Sequence, residues 1–410
     1  MSGCIWYVSK YVLTPSAGDP VGRGYGFMRE FARMGYRTLI ITSDSMGKFN
    51  APLAHQAYVI EEREEITVCR VRTFKYINAM SMRRVLSWLD FEFRLLWLPM
   101  AALPKPDVIV VSSLSLLTVL NGIRLRRRFK ARLVFEVQDI WPLTIVENGI
   151  IGARNPLARL LGAVEKCGYH RADVIVGTMP NLGKHVAQVT GQDLPTHCIP
   201  MGVDTQAFET PTPLAADYVE AYFPTGKFLV AYAGSMGRAN AMSVLFECVE
   251  SMQLDPNIHF VMLGDGELRE SYIRQYGRLP NLTFAPRVPR SQVHDFLSRC
   301  DLLFLSVANS KIYEYGLSLN KLIDYMLAAK PIVAAYSGYP SMINEAECGT
   351  FVPAGDASSL RSAILRYSLM TEAELTVIGQ RGRSWLLANR GYGELAKQYK
   401  SVLFPHGDQL

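Results

Sequence analysis

Strand-like and helix-like segments alternate along this chain of 410 residues, and the alternation constrains its fold more than any other feature. Residues 107–112 and 132–137 are short runs rich in branched apolar residues, as buried parallel strands are. Residues 116–128, which lie between them, have the apolar spacing of a helix. A strand, a helix and a second strand in this order form a βαβ unit, so the first half predicts a doubly wound α/β sheet.

The pattern restarts in the second half of the chain. Strand-like runs recur at 227–233, 259–263 and 301–306, and residues 321–329 again have helical spacing. Hydrophobic residues make up 49% of the chain and charged residues 20%, which fits globular domains and excludes a disordered chain.

The sequence therefore predicts an α/β protein of two facing Rossmann-like domains, and its length agrees with two domains. The predicted division is 1–204, 205–385 and a last helical segment, 386–410, that packs back toward the first domain. Ligands of such sheets bind at the carboxyl ends of the strands, so we expect the site in a cleft between the domains.

Charge is divided unevenly between the two halves. Residues 1–204 carry 25 Lys and Arg against 17 Asp and Glu, a net charge of +8, and residues 205–410 carry 18 against 20, a net charge of −2. The overall +6 therefore belongs to the first half. This asymmetry argues against a protein that coats nucleic acid and predicts an anionic partner for the first domain.

Several kinds of chemistry and location have no signal. The seven cysteines are scattered without a CxxC pair, and the seven histidines have no metal-ligand spacing, so we expect reduced thiols in a cytoplasm and no metal. No GxSxG or GxxxxGK[ST] motif is present. The apolar start is too short for a signal peptide, and no run of about 18 uncharged apolar residues could cross a membrane.

A glycine-rich segment follows the first predicted strand, where Gly22, Arg23 and Gly24 are joined by Gly26. Glycines let a backbone approach a ligand, and the helix start that follows favours an anion. The alternative is a flexible turn. The pattern is not GxGxxG, so a dinucleotide site is a weak interpretation.

A second glycine-rich segment, with Gly234, Ser235, Arg238 and Asn240, follows the first strand of the second domain. It has the same physical features, and the guanidinium fork of Arg238 suits a phosphate. A simple turn is again the alternative.

Ser318, Asn320 and Lys321 lie at the predicted start of a helix, a favourable place for a diphosphate. Asp324 follows one turn later and could reach ribose hydroxyls, or could be a solvent-exposed helix acid. At the end of strand 132–137, Asp139 could face a cleft or cap the next helix.

Together these motifs resemble the nucleotide-sugar glycosyltransferases of family 4, which have the GT-B fold and retain anomeric configuration. The resemblance extends over nearly the whole chain and is nearest to the bacterial O-antigen, capsule and exopolysaccharide branch, including the L-fucosamine transferase group. The segments that carry it are 137–144, 199–204, 237–240, 263–267 and 318–326.

The sequence departs from the family pattern at several positions. The family usually has two acids separated by seven residues, but counting back from Asp324 gives Gly316, and Glu314 is the nearest acid. Asn240 occupies the usual lysine position, so Lys321 is expected to supply the missing charge. Gln138 stands where the branch has another polar residue.

The resemblance implies a metal-independent hexosyltransferase without a cofactor, which uses a UDP-sugar donor, with the choice of UDP or GDP left open. The candidate catalytic residues are Arg238, Lys321, Asp139 and Glu314. The expected nucleotide-sugar contacts are Gly234, Ser235, Arg238, Asn240, Asp265, Arg287, Val288, Ser318, Asn320, Lys321 and Asp324. The expected acceptor-side residues are Gly22, Arg23, Gly24 and Gln138.

The implied acceptor is a polyprenyl-diphosphate saccharide, met by a protein that lies at the inner face of the cell membrane. Residues 83–97 are aromatic and amphipathic, and residues 124–130 are strongly basic, so the first domain could lie on an anionic surface. Helix packing on the sheet is the alternative.

Two other functions remain open: a UDP-N-acetylhexosamine 2-epimerase and a non-catalytic partner subunit. The sequence does not identify the donor sugar.

Overall fold

A computed structural model describes residues 3–14, 21–46, 52–77, 81–205 and 212–405 of the chain. The chain divides into two compact units. The first comprises Met1–Asp204 together with Tyr392–Leu410, and the second is Thr205–Gly391. Both are α/β units built on sheets of mainly parallel strands. The prediction of an α/β protein with two sheets of mainly parallel strands is therefore confirmed.

The first unit contains an eight-stranded sheet with the order β3-β4-β2-β1-β5-β6-β7-β8. The strands are β1 Cys4–Val8, β2 Arg37–Ser43, β3 Tyr58–Arg63, β4 Ile66–Val71, β5 Val108–Ser112, β6 Arg132–Val137, β7 Val174–Gly177 and β8 Thr196–Cys198. The helices before the crossing into the second unit are α1 Arg23–Arg33, α2 Met82–Trp97, α3 Thr118–Phe129, α4 Leu143–Glu147, α5 Pro156–Arg171 and α6 Leu182–Thr190. Only β3 runs antiparallel to its neighbour within the described sheet.

The central strands of this sheet are buried on both faces because helices cover both sides. Every residue of β1 is buried: Tyr7 belongs to a core that includes α1, while the ring of Trp6 packs edge-on against Phe129 of α3 at 5.2 Å between centroids. The long apolar runs in the sequence are therefore explained by burial on two sides.

Helix α2 buries one side and exposes an apolar side. Phe91 and Leu95 are buried, whereas Phe93 is 60% exposed and Trp97 74% exposed. Packing therefore accounts for only part of this helix's apolar surface.

The second unit contains a six-stranded sheet, entirely parallel, with the order β11-β10-β9-β12-β13-β14. The strands are β9 Phe228–Ala233, β10 Ile258–Leu263, β11 Leu282–Ala285, β12 Leu302–Ser306, β13 Ile332–Ala335 and β14 Gly349–Val352. The helices are α7 Ala216–Tyr222, α8 Ser243–Ser251, α9 Arg269–Tyr276, α10 Val293–Ser298, α11 Asn320–Leu327, α12 Met342–Glu345, α13 Ala357–Ser368 and α14 Glu372–Arg390. In chain order this is 3-2-1-4-5-6, the strand order of a Rossmann fold.

The chain ends with α15, Tyr392–Leu403, which belongs to the first unit. Its rings pack on α1: the centroids of Tyr392 and Tyr399 each lie 5.2 Å from that of Phe27. The sequence places the start of the last segment at residue 386, but α14 continues to Arg390, and the chain changes unit at Gly391.

Candidate active site

The strand order of the second unit reverses between β9 and β12, and such a switch point opens a crevice at the carboxyl ends of the strands. The loops that follow these two strands are bonded to each other. The amide of Ala308 donates to the carbonyl of Ala239 at 3.0 Å, and the hydroxyl of Ser306 donates to the carbonyl of Asn240. The predicted phosphate loop therefore lies at the switch point, held by its neighbour.

The loop after β9 also pairs with the loop after β10. The amide of Gly234 donates to Leu263 at 3.0 Å, and that of Met236 donates to Asp265 at 2.8 Å. Gly264 has a φ of +149°, and a Cβ atom there would lie 1.8 Å from the carbonyl oxygen of Gly234. This close approach requires glycine, which explains the Gly-Asp-Gly sequence.

Lys321 of α11 brings a cation beneath the first glycine of this loop. Its ammonium group donates to the hydroxyl of Tyr232 at 3.0 Å and to the side-chain oxygen of Asn240. A Cβ atom on Gly234 would lie 3.3 Å from the Lys321 nitrogen. Burial lowers the pKa of Lys321 to about 8 because it penalises the charged form. The structure thus joins the three predicted residues Gly234, Asn240 and Lys321.

Arg238 lies in the same loop but points into solvent. Its side chain is 81% exposed, and its guanidinium lies 3.3 Å from a carboxylate oxygen of Glu267. Arg287 and Asp265 form a similar exposed pair at 3.4 Å. Exposed pairs of this kind contribute little to stability, so these side chains are free to exchange partners for a ligand.

Asp324 is bound to another part of the protein. Both of its carboxylate oxygens accept from the guanidinium of Arg290, one of them at 2.7 Å. Burial raises the pKa of Asp324, and the charge of Arg290 acts in the opposite direction. The alternative of a solvent-exposed helix acid is therefore wrong, and a ribose hydroxyl would have to share this carboxylate with Arg290.

The remaining residues predicted for this site come from two segments, the one after β11 and the one that joins β12 to α11. Ser318 is half-buried and Asn320, at the first position of α11, is exposed. Val288 is half-buried in the segment after β11. Glu314 is exposed at the end of a short 3-10 helix. They supply polar groups and backbone at the carboxyl edge of the sheet.

In the first unit, Arg23 does not face solvent. It is 5% exposed, and its guanidinium donates to Glu136 at 2.9 and 3.1 Å and to the carbonyls of Ile199 and Pro200 at 2.7 and 2.5 Å. Glu136 is fully buried and also accepts from the hydroxyl of Tyr7 at 2.6 Å. The donors of Arg23 are thus used by the protein, and its expected acceptor contact loses its physical basis.

The glycines around Arg23 have a packing role. Helix α1 begins at Arg23, so Gly24 and Gly26 are helical and do not form a loop. A Cβ atom on Gly24 would lie 2.4 Å from a ring carbon of Tyr7, and one on Gly26 would lie 2.7 Å from the ring of Tyr392. Gly22, immediately before the helix, packs against Leu13. The flexible-turn interpretation is therefore wrong for Gly24 and Gly26, whereas a role of this helix start in acceptor binding stays a prediction.

Gln138 and Asp139 follow β6 at the carboxyl edge of this sheet. The side-chain amide of Gln138 donates to a carboxylate oxygen of Glu136 at 2.9 Å and to the hydroxyl of Tyr7 at 3.0 Å, which ties it to the buried network. Asp139 is exposed, yet the surrounding protein desolvates its carboxyl group and raises its pKa against the charge of Arg84. It does not cap α4, which has no side-chain cap. Of the two, Asp139 is the more exposed.

Sequence reasoning missed three residues that organise these sites: Tyr232, Arg290 and Glu136. Tyr232 is the second-last residue of an apolar strand and was indistinguishable from core. Of the three, Glu136 could have been found from the sequence, because an acid inside an apolar strand needs a buried partner.

Two properties bear on the predicted absence of a metal and of a membrane span. Within the described ranges, no group of three or more His, Cys, Asp or Glu side chains is arranged to hold a metal ion. No described helix is both long enough and apolar enough to cross a bilayer.

Comparisons with known proteins agree with this architecture. Residues 25–207 match the family model of Glycosyltransferase Family 4, and residues 227–368 match that of Glycosyl transferases group 1. A search of curated protein sequences finds no significant match.

Solved structures share the fold over the full length. Sucrose-phosphate synthase from Thermosynechococcus elongatus has a TM-score of 0.70 at 17% identity, covering 98% of each chain. An E. coli structure described as trehalose-6-phosphate bound with UDP-2-fluoro glucose has a TM-score of 0.71 at 14% identity, covering 99% of each chain. HepE from Anabaena, in complex with UDP and glucose, has a TM-score of 0.62 at 14% identity and covers 97% of this chain and 98% of that one. With its two family matches and this fold, the chain belongs to the glycosyltransferases of the GT-B fold.

Proposed function

We propose that this glycosyltransferase moves a sugar from a UDP-sugar, with retention of anomeric configuration, to a lipid-linked saccharide at an anionic membrane surface. The observation that carries the donor part is the half-buried ammonium of Lys321 beneath Gly234, at the switch point of the second unit. A protein rarely desolvates a cation without an acid beside it unless an anion is to meet it.

The donor diphosphate would lie over the loop after β9. Among the described residues, the hydrogen-bond partners of the Lys321 ammonium are neutral, the Tyr232 hydroxyl and the Asn240 side-chain oxygen, so its charge stays available to an anion. Arg238, exposed and weakly paired, can turn toward the same place. UDP is favoured over other nucleotides because structures of the same fold are described with UDP, as in HepE from Anabaena.

The chemistry needs stabilisation of the leaving group. The bond between the sugar anomeric carbon and the diphosphate oxygen breaks, and negative charge develops on that oxygen. Lys321 and Arg238 would stabilise it in a partly desolvated place, where electrostatic interactions are strong. The acceptor oxygen forms the new bond on the same face of the sugar, and its proton passes to the leaving diphosphate. The products are the glycosylated acceptor and UDP.

Calorimetric titration with UDP tests the donor site. Lys321→Met should weaken UDP binding by about tenfold or more, since a charge-assisted contact to phosphate contributes roughly 1.5–3 kcal/mol. Lys227→Met is the matched control, because Lys227 precedes β9 at the opposite edge of the sheet. Equal UDP affinity in the two variants would show that Lys321 does not bind the diphosphate.

The exposed face of α2 supports the membrane part of the proposal. Its exposed apolar side chains share one side of the helix and are Met82, Val85, Leu86, Leu89, Phe93, Leu96 and Trp97. Helix α3 lies beside it, with Arg124 donating to the Leu96 carbonyl at 3.1 Å, and carries further arginines to its end. An apolar helix face flanked by cations is complementary to an anionic bilayer interface.

Vesicle flotation tests this surface. Phe93→Ser with Trp97→Ser should reduce binding to phosphatidylglycerol vesicles by about tenfold, because two large interfacial side chains are lost. Leu254→Ser is the control, since Leu254 is 92% exposed in the second unit. If the protein does not float at low salt, or if both variants float equally, membrane docking through α2 is wrong.

The acceptor is tested by a mass-spectrometric screen of UDP- and GDP-sugars with a polyprenyl-diphosphate saccharide. We expect one UDP-sugar to be consumed and a glycosylated lipid to form. Release of free sugar, an epimerised donor or transfer only to water-soluble sugar phosphates would contradict the lipid-linked acceptor.

A further inference from the structure

A second concave region lies in the first unit, away from the groups described above. It is a cavity of about 670 Å³ at the edge of the sheet where the strands begin. Asp107 and Asp173 immediately precede β5 and β7, and Arg132 is the first residue of β6. Gln138 and Asp139 follow β6, so the cavity lies at the opposite edge of the sheet from them. The cavity therefore takes no part in the proposed sugar transfer.

Cations dominate the cavity wall. Its basic side chains come from three parts of the chain and are Lys105, Arg126, Arg127, Lys130 and Arg132. Cations at the end of α3 alone would be explained by the helix dipole. Lys105 and Arg132 lie outside α3, so the convergence of charge on one cavity needs another explanation.

The two acids in the wall are already used. Asp107 accepts from the amide of Cys4 at 2.7 Å. Asp173 accepts from the amide of Leu133 at 2.8 Å and forms an ion pair with Arg126. Neither carboxylate therefore compensates the remaining cations.

Four of the cations have no partner among the residues that the structure describes. Within the described ranges, the side chains of Lys105, Arg127, Lys130 and Arg132 make no hydrogen bond or ion pair, and the buried Nε of Arg132 is unsatisfied. Bringing four like charges to one cavity costs free energy, and an anion bound there would offset it. Arginine forks favour the oxygens of phosphate.

We propose that this cavity binds a phosphate-bearing anion of small-molecule size. Its volume lies in the range of ligand sites, and Phe129 and Pro405 add apolar surface for the rest of such a molecule. The phosphate could belong to a soluble organic phosphate or to a lipid headgroup, because both present the same oxygens.

Titration with inorganic pyrophosphate tests the proposal, using the full chain with Lys321→Met so that the proposed donor site contributes little. Arg127→Gln and Lys105→Gln should each weaken pyrophosphate binding by about tenfold, as for loss of one charge-assisted contact. Arg128→Gln is the matched control. Arg128 is adjacent to Arg127 and equally charged, but it lies over the Phe129 ring and does not line the cavity.

Equal weakening by Arg127→Gln and Arg128→Gln, or no pyrophosphate binding at all, would overturn the proposal, whatever the outcome for UDP. The three replaced side chains are exposed, so the fold should survive, and thermal melting checks this.

Flotation with phosphatidylglycerol vesicles then distinguishes the two sources of the phosphate, a lipid headgroup and a soluble molecule. If the ligand is a lipid headgroup, Arg127→Gln should float less than Arg128→Gln. Pyrophosphate should then also release the protein from the vesicles more than sodium chloride of equal ionic strength does. A soluble ligand predicts equal flotation of the two variants.

Discussion

The glycine-rich segments near Arg23 in the first unit and near Arg238 in the second start from similar residues but have different surroundings. Arg23 is buried and bonded to the fully buried carboxylate of Glu136. Arg238 is 81% exposed, and its ion-pair partner Glu267 is exposed as well. The first arginine stabilises a domain, whereas the second can meet a ligand.

The two segments differ in the side chains that neighbouring elements place beside their glycines. In the first unit, the rings of Tyr7 and Tyr392 fill the space beside Gly24 and Gly26. In the second unit, the atom nearest to a Cβ on Gly237 would be the Ser235 hydroxyl at 3.6 Å, and no ring closes over it. A glycine–arginine pattern therefore does not by itself indicate a phosphate site, because near Arg23 the glycines pack against rings and the arginine pairs with a buried acid.

Replacing the two arginines should have different consequences, and Arg23→Ala should have the largest effect. It leaves Glu136 buried without its charged partner, which typically costs about 3–5 kcal/mol. Urea unfolding should show this loss in the first unit. The double variant Arg23→Met with Glu136→Gln should recover part of the stability, because no charge is left unpaired. A fully stable Arg23→Ala protein would contradict the structural role of the pair.

Arg238→Ala should affect turnover and leave stability unchanged. Loss of one donor to developing negative charge typically lowers kcat by about 10²–10³, whereas an exposed pair contributes at most about 1 kcal/mol to stability. Steady-state kinetics with the donor found by screening, together with urea unfolding, measures both quantities. Unchanged kcat would exclude Arg238 from the reaction.

Much of the fold could be predicted because buried parallel strands carry their own signal. Strand β6 was predicted with its observed bounds, Arg132–Val137. The edge strand β3 was missed because Glu61, Glu62 and Arg63 interrupt its pattern. An edge strand has a free side exposed to solvent and needs fewer apolar residues, so the apolar pattern fails there for a physical reason.

The candidate site was predictable in its residue types but not in its pairings. Lys321 was expected to replace the charge missing at Asn240, and the structure places these two side chains in contact. Its other partner, Tyr232, is 89 residues away in sequence, and Arg23 and Glu136 are 113 apart. Such contacts depend on the register of neighbouring strands, which one sequence does not reveal.

Alanine substitutions of one glycine in each segment should differ in their effect on packing. Gly24→Ala places a Cβ atom 2.4 Å from the Tyr7 ring, and overpacking of this kind typically costs about 1–3 kcal/mol. Gly237→Ala has room and a negative φ of −114°, so its stability should change by less than about 0.5 kcal/mol. Thermal unfolding compares the two. Equal destabilisation would mean that both segments are packed alike.

The pH dependence of UDP binding gives the most direct view of the second segment. Burial lowers the pKa of Lys321 to about 8 in the free protein, so the ammonium is charged below that pH and neutral above it. UDP keeps its full negative charge over this range, since its last phosphate pKa is about 6. Affinity should therefore be constant near pH 7 and fall by about tenfold at pH 9, where roughly a tenth of Lys321 remains protonated.

Lys321→Arg should bind UDP without this decline because a guanidinium does not lose its proton in this range. If calorimetry between pH 7 and 9 gave the same decline for both proteins, the titrating group would lie elsewhere, and the contrast between the buried Arg23 and the ligand-facing cations of the second unit would rest on Arg238 alone.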